Sequence, residues 1–494
     1  MSNDKIPASA DIRKRQGHPT IDADGHVLEY RKIVLDYMDS LFGVEMREDF
    51  LRWDERTEST RWAHAGPTKR LNQRLGRPQF WATAAGNTLD RATAVFPNLR
   101  RARMDELGID YAILYPSAGL AYVNLPHDQF RPALCRAYNA MVADLYRDHE
   151  DRMTPVAIIP MYTPEEAIDE LDHAVGQRGL KTVMLANFVV RTVPVAEATP
   201  PEIARAAHWY DMLALDSPYD YDPVWAKCRE LKVAVTSHNT TFGLGMRRST
   251  SNFMYNHCGH FAAGGEMFAK ALFFGGVTAR FPGLSFAFME GGTAWGGVLF
   301  QGLVSRWEKR NASAIGNYDS ANVDHDLMGR LFDEYAGELI ASHIPDDHGA
   351  DPPPRDFGLG PADRADPAMV DDFAACEIER AEDIVERFAK PFYFGCEADD
   401  PYAGAALRGE GMPFGIGVNA LFSTDIGHWD VVDARHVVAE AYEQLEHGLM
   451  DETQYRDFMF ANTVRLHGGM NRDFFKGTVV EDEAADVLNG ESAA

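Results

Sequence analysis

Five side chains that could bind a metal ion or move protons stand at the ends of short apolar runs. Asp24 and His26 lie at the end of the first run, His238 ends "KVAVTSH", Glu290 ends "LSFAFME" and Asp425 ends "ALFSTD". An isolated buried carboxylate is costly, so each acid must be solvated, paired or bound to a cation. Carboxylates and imidazoles that converge from several strands would form a site for a divalent metal such as Zn, Mn or Fe.

Each of these residues also has a purely structural interpretation. Asp24, in "DADGH", could cap a tight turn, His238 could be a core histidine bonded to backbone, and Asp425 could cap a helix. His257 and His260, in "NHCGH", could be further ligands or could contact the first turn of the helix that follows. The joint occurrence of so many donors at predicted strand ends favours a metal site.

A few other side chains near the predicted strand ends could contact a substrate. Arg247 could bind a substrate carboxylate, and an ordinary solvated or salt-bridged arginine is equally consistent with its position. Tyr115 and Trp295 could line a pocket or pack in the core. His428, three residues after Asp425, could support that carboxylate or lie in a solvated loop.

Eight short apolar runs carry these side chains, and helical patterns separate many of them. Their length and composition are typical of buried parallel strands. Alternation of strand and helix predicts an α/β protein, and eight repeats predict a (β/α)8 TIM-type barrel, in which chemistry gathers at the C-terminal strand ends. The runs span residues 19–24, 111–117, 154–160, 181–187, 232–238, 284–290, 391–397 and 420–425.

The barrel is expected to occupy most of the chain. We predict an N-terminal arm over residues 1–18, the metal-dependent barrel over 19–478 and an acidic tail over 479–494. Two intervals, about 30–100 and 308–390, are too long for a single helix. Both are predicted to be helical and looped insertions near the barrel mouth.

Composition narrows the possible partners and the compartment. The 494 residues include 75 acids against 48 bases, for a net charge of −27. Nucleic acid and anionic membranes both need a basic surface, so neither is an expected partner. Five cysteines without a CxxC motif indicate reduced thiols, and no apolar run approaches membrane-spanning length. The sequence therefore predicts a cytoplasmic protein.

Several stretches together resemble one known family. "IDADGHVLE", "MDELGIDYAILYPS", "KCRELKVAVTSHN", "GVTARFPGLSFAFMEGG" and "STDIGHWD" resemble the amidohydrolase-related proteins grouped with aminocarboxymuconate semialdehyde decarboxylase. The resemblance covers most of the chain apart from the two insertions. It implies a (β/α)8 barrel that binds a divalent metal at its mouth, with ligands at Asp24, His26, His238 and Asp425.

Two positions depart from the family pattern. Asp24 stands where histidine or glutamate is usual, and Glu290 replaces a histidine that commonly assists catalysis in the decarboxylases of this family. Three acids would over-neutralise one divalent ion, whereas two ions bridged by a carboxylate would balance the charge, and mixed carboxylate and imidazole ligation suits iron and manganese. In this the sequence resembles a dinuclear, oxygen-activating branch of the family that includes 2-aminoisobutyrate hydroxylase.

Three functional hypotheses follow. The first is an oxygenase with a dinuclear Fe or Mn/Fe centre that hydroxylates a C–H bond of a small carboxylic or amino acid, with Glu290 or Asp425 bridging the metals. The second is a mononuclear Zn or Mn decarboxylase or hydrolase in which Glu290 or Asp425 acts as general acid or base. The third is a metal-bound partner subunit. The expected partners are a small-molecule acid, O2 and a second barrel chain in a homo- or hetero-oligomer. In the first hypothesis the metal ligands are Asp24, His26, His238, Glu290 and Asp425, together with one or both of His257 and His260.

Overall fold

The computed structural model describes most of the chain and contains ten strands in its described part. The described residues are 8–58, 61–78, 86–200, 207–238, 248–319, 322–343 and 371–492. The strands are β1 (Ile21–Val27), β2 (Tyr111–Pro116), β3 (Met153–Ile159), β4 (Thr182–Leu185), β5 (Val189–Thr192), β6 (His208–Asp211), β7 (Val235–Ser237), β8 (Phe286–Phe288), β9 (Phe392–Glu397) and β10 (Asn419–Ser423).

Eight of these strands pair in parallel in the order β1-β2-β3-β4-β7-β8-β9-β10, and β5 and β6 form a separate antiparallel hairpin. Each parallel strand corresponds to one predicted apolar run, because a strand covered on both faces needs apolar residues at nearly every position. Burial is complete along β1, β2, β3 and β4.

The first and last parallel strands meet and complete the barrel. Just beyond the end of β10, the Asp425 amide donates to the Asp24 carbonyl at 3.0 Å, and the His26 amide donates to the Ile426 carbonyl at 3.0 Å. These bonds continue the ladder between β10 and β1 past the formal end of β10. The predicted (β/α)8 barrel is therefore confirmed.

Helices follow most strands and surround the barrel, as its alternating sequence pattern requires. None of the described helices is long and apolar enough to cross a lipid bilayer. The α-helices of the described residues are Ser9–Arg15, Arg31–Phe42, Val44–Glu58, Pro67–Asn72, Thr88–Val95, Pro97–Leu107, Gly119–Tyr122, Phe130–Tyr146, Pro164–Leu171, Asp222–Glu230, Phe253–His257, His260–Phe274, Val277–Arg280, Ala294–Arg310, His325–Tyr335, Gly337–Ala341, Tyr402–Arg408, Val437–Glu446, Glu452–Arg456, Asn462–Met470 and Glu481–Ser492.

The two predicted insertions differ in how much of them is described. The interval 30–100 holds several of these helices, beginning with Arg31–Phe42. The interval 308–390 includes residues 320–321 and 344–370, which lie outside the described residues. The proposed boundaries of arm, barrel and tail remain predictions.

Candidate metal centre

β1 places Asp24 and His26 in the interior of the barrel, where both are fully buried. The Nδ1 atom of His26 lies 2.9 Å from the carbonyl oxygen of Pro116, at the end of β2. In the neutral ring that binds metals, a hydrogen bond from Nδ1–H to this carbonyl would leave the lone pair of Nε2 directed into the barrel. This arrangement of carbonyl, imidazole and open nitrogen is common among metal-binding histidines.

The Nε2 atom of His26 faces ligand atoms from other strands. It lies 3.2 Å from Asp425 Oδ1, 3.5 Å from Asp24 Oδ1 and 3.2 Å from the Nε2 atom of His238. His238 Nε2 in turn lies 3.0 Å from Glu290 Oε2 and 3.5 Å from Asp24 Oδ2. Donor atoms of Asp24, His26, His238 and Glu290 all lie within 4.8 Å of one another.

Glu290 and Asp425 reach the cluster through unusual backbone conformations. Their φ angles are +58° and +51°, in the left-handed region that residues with side chains seldom occupy. Each lies just past the end of its strand, β8 or β10, and the change of backbone direction there turns the carboxylate toward the other ligands. Strained non-glycine backbone of this kind is concentrated at functional sites.

The carboxylate of Asp24 provides the test of whether these residues suit a cation. Both of its oxygens are buried, and neither accepts a hydrogen bond from any residue that the structure describes. A buried carboxylate whose oxygens face imidazole nitrogens at 3.5 Å lacks its usual partners. A divalent cation would satisfy both oxygens, and the mixture of carboxylates and imidazoles suits Zn, Mn or Fe.

The acids of the cluster are difficult to ionise together. Burial is the main cause that raises the pKa of Asp24 well above its usual value, and the charges of Asp425 and Asp22 add to it. Burial likewise raises the pKa of Glu290, with further contributions from Asp425 and Asp24. A divalent cation would offset this repulsion and displace the protons.

The two imidazoles respond to the cluster in opposite ways. Burial lowers the pKa of His26, but its hydrogen bond to Asp425 and the charge of Asp24 outweigh that effect and raise the pKa to about 9. Burial and the neighbouring His26 lower the pKa of His238 well below its usual value. His238 is therefore neutral, which is the form that binds metals.

Two buried side chains, His428 and Ser117, lie behind Asp425. The Nδ1 atom of His428 lies 2.5 Å from Asp425 Oδ1, and the Nε2 atom of His428 lies 3.1 Å from the hydroxyl oxygen of Ser117. His428 is buried rather than solvated, and its ring stacks on that of His26 with 3.7 Å between centroids. Glu29 fixes the turn that carries Ser117, because it accepts hydrogen bonds from the amide of Ser117 and those of the next two residues.

Asp22, which is buried, connects β1 to the segment after β10 by hydrogen bonds and to the helix Pro97–Leu107 by an ion pair. Asp22 lies 3.8 Å from Arg100, and it accepts hydrogen bonds from the amide and hydroxyl of Thr424 at 3.1 and 2.7 Å. Arg100 also donates to the carbonyl of His26 at 2.6 Å. Gly25 lies against this pair, and a Cβ atom there would lie 2.4 Å from the Arg100 guanidinium. The absence of a side chain at Gly25 therefore allows the Arg100 guanidinium to lie close to the backbone of β1.

Another group of donor atoms extends from the cluster toward solvent. It comprises Glu290, Glu397 at the end of β9 and Asp430 beyond β10. Burial and mutual repulsion raise the pKa of Glu397 to about 8 and that of Asp430 to about 8. The sequence analysis missed both residues. Glu397 ends an apolar run just as Glu290 does, which was a usable signal, whereas Asp430 follows no such pattern.

The structure separates the other predicted residues into four cases. His257 and His260 lie next to each other, with 5.4 Å between ring centroids, but neither belongs to a described group of converging ligand atoms. Tyr115 is buried with its ring 5.5 Å from that of His238. Trp295 packs against aromatic rings of β8 and β9 and lines a different groove from the one that Glu290 lines. Arg247 lies outside the described residues.

The chain was compared with known proteins at the level of sequence and of structure. No curated protein matches it. Among solved structures, an amidohydrolase from Mycobacterium avium subsp. paratuberculosis K-10 is 19% identical, with 77% of this chain and 75% of that chain covered and a TM-score of 0.47. The 2,6-dihydroxybenzoate decarboxylase from Rhizobium is 15% identical, with 91% and 98% covered and a TM-score of 0.46.

A third solved structure is the 5-carboxyvanillate decarboxylase of Novosphingobium aromaticivorans with bound manganese. It is 13% identical, with 92% of this chain and 97% of that chain covered and a TM-score of 0.49. Likenesses at these TM-scores carry no argument about activity. The sequence model of the amidohydrolase family matches residues 21–358, which is more than half of the chain. This protein therefore belongs to the amidohydrolase family.

Proposed function

We propose that this protein is a redox-neutral metalloenzyme, a decarboxylase or hydrolase that binds one Zn or Mn ion and acts on a small carboxylated substrate. The observation that carries the proposal is the carboxylate of Asp24, fully buried, with no hydrogen bond to its oxygens in the described part of the chain and with two imidazole Nε2 atoms at 3.5 Å. Asp24, His26, His238 and Asp425 are the proposed ligands. When bound, the ion supplies Lewis acidity that polarises a substrate carboxylate or carbonyl group.

Glu290 is the proposed general acid. Its side chain is 4% exposed and lies 3.0 Å from His238, so it stands beside the position where the ligands converge. A buried carboxyl group retains its proton at a pH where a solvated one has lost it. Glu290 can then protonate the carbon left by a departing CO2, or the leaving group of a hydrolysed bond, and regain a proton from solvent.

The space next to Glu290 suits a small molecule. A cavity of about 490 Å³ opens over it, lined also by His257, Phe261 and Asp399. Volumes of this order accommodate ligands of moderate size. His257, predicted from sequence as a ligand, is better placed here to contact the substrate.

A second candidate function is the oxygen-dependent hydroxylation predicted by the first sequence hypothesis. The observation that favours it is the additional donor group of Glu290, Glu397 and Asp430, which shares Glu290 with the first group. A second cation there, bridged by Glu290, would make the centre dinuclear, and carboxylate-rich ligation suits iron and manganese. The family match is shared by both candidates and does not distinguish them.

The test combines metal analysis with turnover under controlled oxygen. Protein stripped with a chelator is reloaded with Zn, Mn or Fe, and the metal content per chain is measured. A panel of small aromatic and aliphatic carboxylic acids, lactones and amides is then assayed under strict anaerobiosis. We expect one tightly bound ion and release of CO2 or of a hydrolysis product without oxygen.

Matched variants connect the result to the site. Asp24→Asn should abolish metal retention, whereas Asp399→Asn, which removes an exposed carboxylate from the same mouth, should retain the metal. Two bound ions with substrate-dependent uptake of O2 would overturn the redox-neutral proposal in favour of the hydroxylase. If the metal-loaded protein converts substrate only when a second, related chain is added, the protein would be identified as a partner subunit.

A further inference from the structure

A second cavity lies at the opposite end of the barrel from the metal centre. It is formed by the residues that precede β1 and by the helices Val437–Glu446 and Glu452–Arg456, and its volume is about 500 Å³. The strands are parallel, so a cavity beside the start of β1 lies at the N-terminal ends, away from Asp24 and His26. We call it the basal pocket. It is lined by Arg15, Gln16, Gly17, His18, Tyr442, Leu445, Glu452, Thr453, Tyr455 and Arg456.

The charges of the basal pocket are opposite to those of the whole protein. The net charge of the chain is −27, yet two arginines, Arg15 and Arg456, line this cavity. Neither forms an ion pair with a carboxylate of any described residue, whereas most of the described arginines do. Glu452 lies on the rim, exposed, and is not within ion-pair distance of either arginine. The guanidinium groups therefore remain available to an anion.

A histidine and two tyrosines complete the wall. The His18 ring lies 5.7 Å from that of Tyr455, and Tyr455 lies 5.7 Å from Tyr442, so the pocket has an aromatic side. Burial is the main cause that lowers the pKa of His18; the hydrogen bond to Pro19 opposes it, and the positive charges of Arg456 and Arg13 lower the pKa further. Arg13 itself is paired with Asp110, which leaves Arg456 as the unpaired cation facing His18.

We infer that the basal pocket binds a small organic anion, whose phosphate or carboxylate group lies between Arg15 and Arg456 and whose body packs against Tyr442, which the buried ring of Tyr455 supports. Arginine suits both groups because its guanidinium donates two parallel hydrogen bonds to a pair of oxygens. The volume exceeds that needed for a bare inorganic ion and falls in the range of small-ligand sites. This site is separate from the metal centre and does not depend on the proposed function.

The experiment uses the full chain in buffer of low ionic strength, because screening by salt weakens such contacts. Inorganic pyrophosphate and citrate are titrated separately by isothermal calorimetry, with metal-stripped protein so that neither probe acts as a chelator. The variant Arg15→Gln/Arg456→Gln is compared with Lys14→Gln, which removes a charge from the same helix but from a residue that does not line the pocket. Circular dichroism verifies that each variant is folded.

We expect at least one probe to bind, and the double variant to weaken its binding by about tenfold or more, since a hydrogen bond to a charged group contributes about 1.5–3 kcal/mol. Lys14→Gln should bind as the wild type does. Preference for pyrophosphate or for citrate would distinguish a phosphate ligand from a carboxylate ligand. Absence of binding tighter than about 1 mM, or an equal loss in Lys14→Gln, would overturn the inference. Metal content, measured on separate samples of the same variants before the metal is stripped, is expected to be unchanged.

Discussion

Replacing Ser117 with alanine should weaken metal binding although Ser117 itself touches no metal. Its hydroxyl lies 3.1 Å from His428 Nε2, and the other nitrogen of that ring lies 2.5 Å from the carboxylate of Asp425. Both side chains are buried, so water does not readily replace the lost hydroxyl. Without it, the imidazole of His428 loses the contact that orients it against Asp425.

The expected size of the effect follows from comparable sites. Loss of a group that orients a metal ligand typically reduces metal affinity by about 10- to 100-fold. This corresponds to about 1.4–2.8 kcal/mol of binding free energy. Loss of the hydrogen bond also leaves a buried nitrogen without its partner, which costs about 1–3 kcal/mol of folding stability.

The assay is a competition for Zn or Mn between the metal-stripped protein and a chromophoric chelator. Ser423→Ala is the matched control, because Ser423 is a buried serine at the end of β10 whose hydroxyl has no hydrogen-bond partner among the described residues. Ser117→Thr keeps a hydroxyl at the same position and should restore most of the affinity. The three variants together separate the hydrogen bond from a general effect of substitution near the site.

Two results would refute the reasoning. Wild-type affinity in Ser117→Ala would mean that Asp425 does not depend on the chain through His428. An equal loss in Ser117→Ala and Ser423→Ala would mean that any small cavity near the strand ends disturbs the metal centre. In either case the contacts of His428 and Ser117 behind Asp425 would be structural only.

Three further predictions concern stability. Reloading the chelated protein with metal at about 100 times Kd should raise the free energy of unfolding by about 2.7 kcal/mol, and an unchanged melting temperature would contradict a folded-state site. Arg100→Met leaves Asp22 buried without its ion pair and should lower the free energy of unfolding, measured by urea denaturation, by about 3–5 kcal/mol. The double variant Arg100→Met/Asp22→Asn should recover part of this loss. A loss below about 1 kcal/mol in Arg100→Met would be evidence against the ion pair. Burial lowers the pKa of His467 from 6.5 to about 3. Between these values the unfolded chain binds a proton that the folded protein does not bind, so the free energy of unfolding should decrease as pH falls from about 6.5 toward 3. His467→Gln should reduce that slope by up to about 1.4 kcal/mol per pH unit, and identical slopes would contradict the assignment.

The barrel and many of its candidate metal ligands were predictable from local sequence patterns. A strand buried on both faces requires a continuous apolar run. A polar side chain at the C-terminal end of such a run is therefore expected at the barrel mouth. This reasoning placed Asp24, His26, His238, Glu290 and Asp425, and the structure brings all five together. It could also have found Glu397, which ends its run in the same way.

Other features depend on contacts between distant parts of the chain. Ser117 and His428 are 311 residues apart, and only closure of the barrel between β10 and β1 brings them within 3.1 Å. His257 and His260 looked like ligands in sequence, yet the helices that carry them orient both beside the described ligand groups rather than within them. Spacing along a chain does not specify where a helix places its side chains.

The sequence by itself determined which chemical groups stand at the strand ends, because burial and strand period are properties of a few neighbouring residues. The tertiary structure decided which of those groups converge. The left-handed backbone at Glu290, the carbonyl of Pro116 behind His26 and the unpaired arginines of the basal pocket all arise from segments far apart in sequence. Their relative positions depend on the closure and register of the whole barrel, which no local pattern contains.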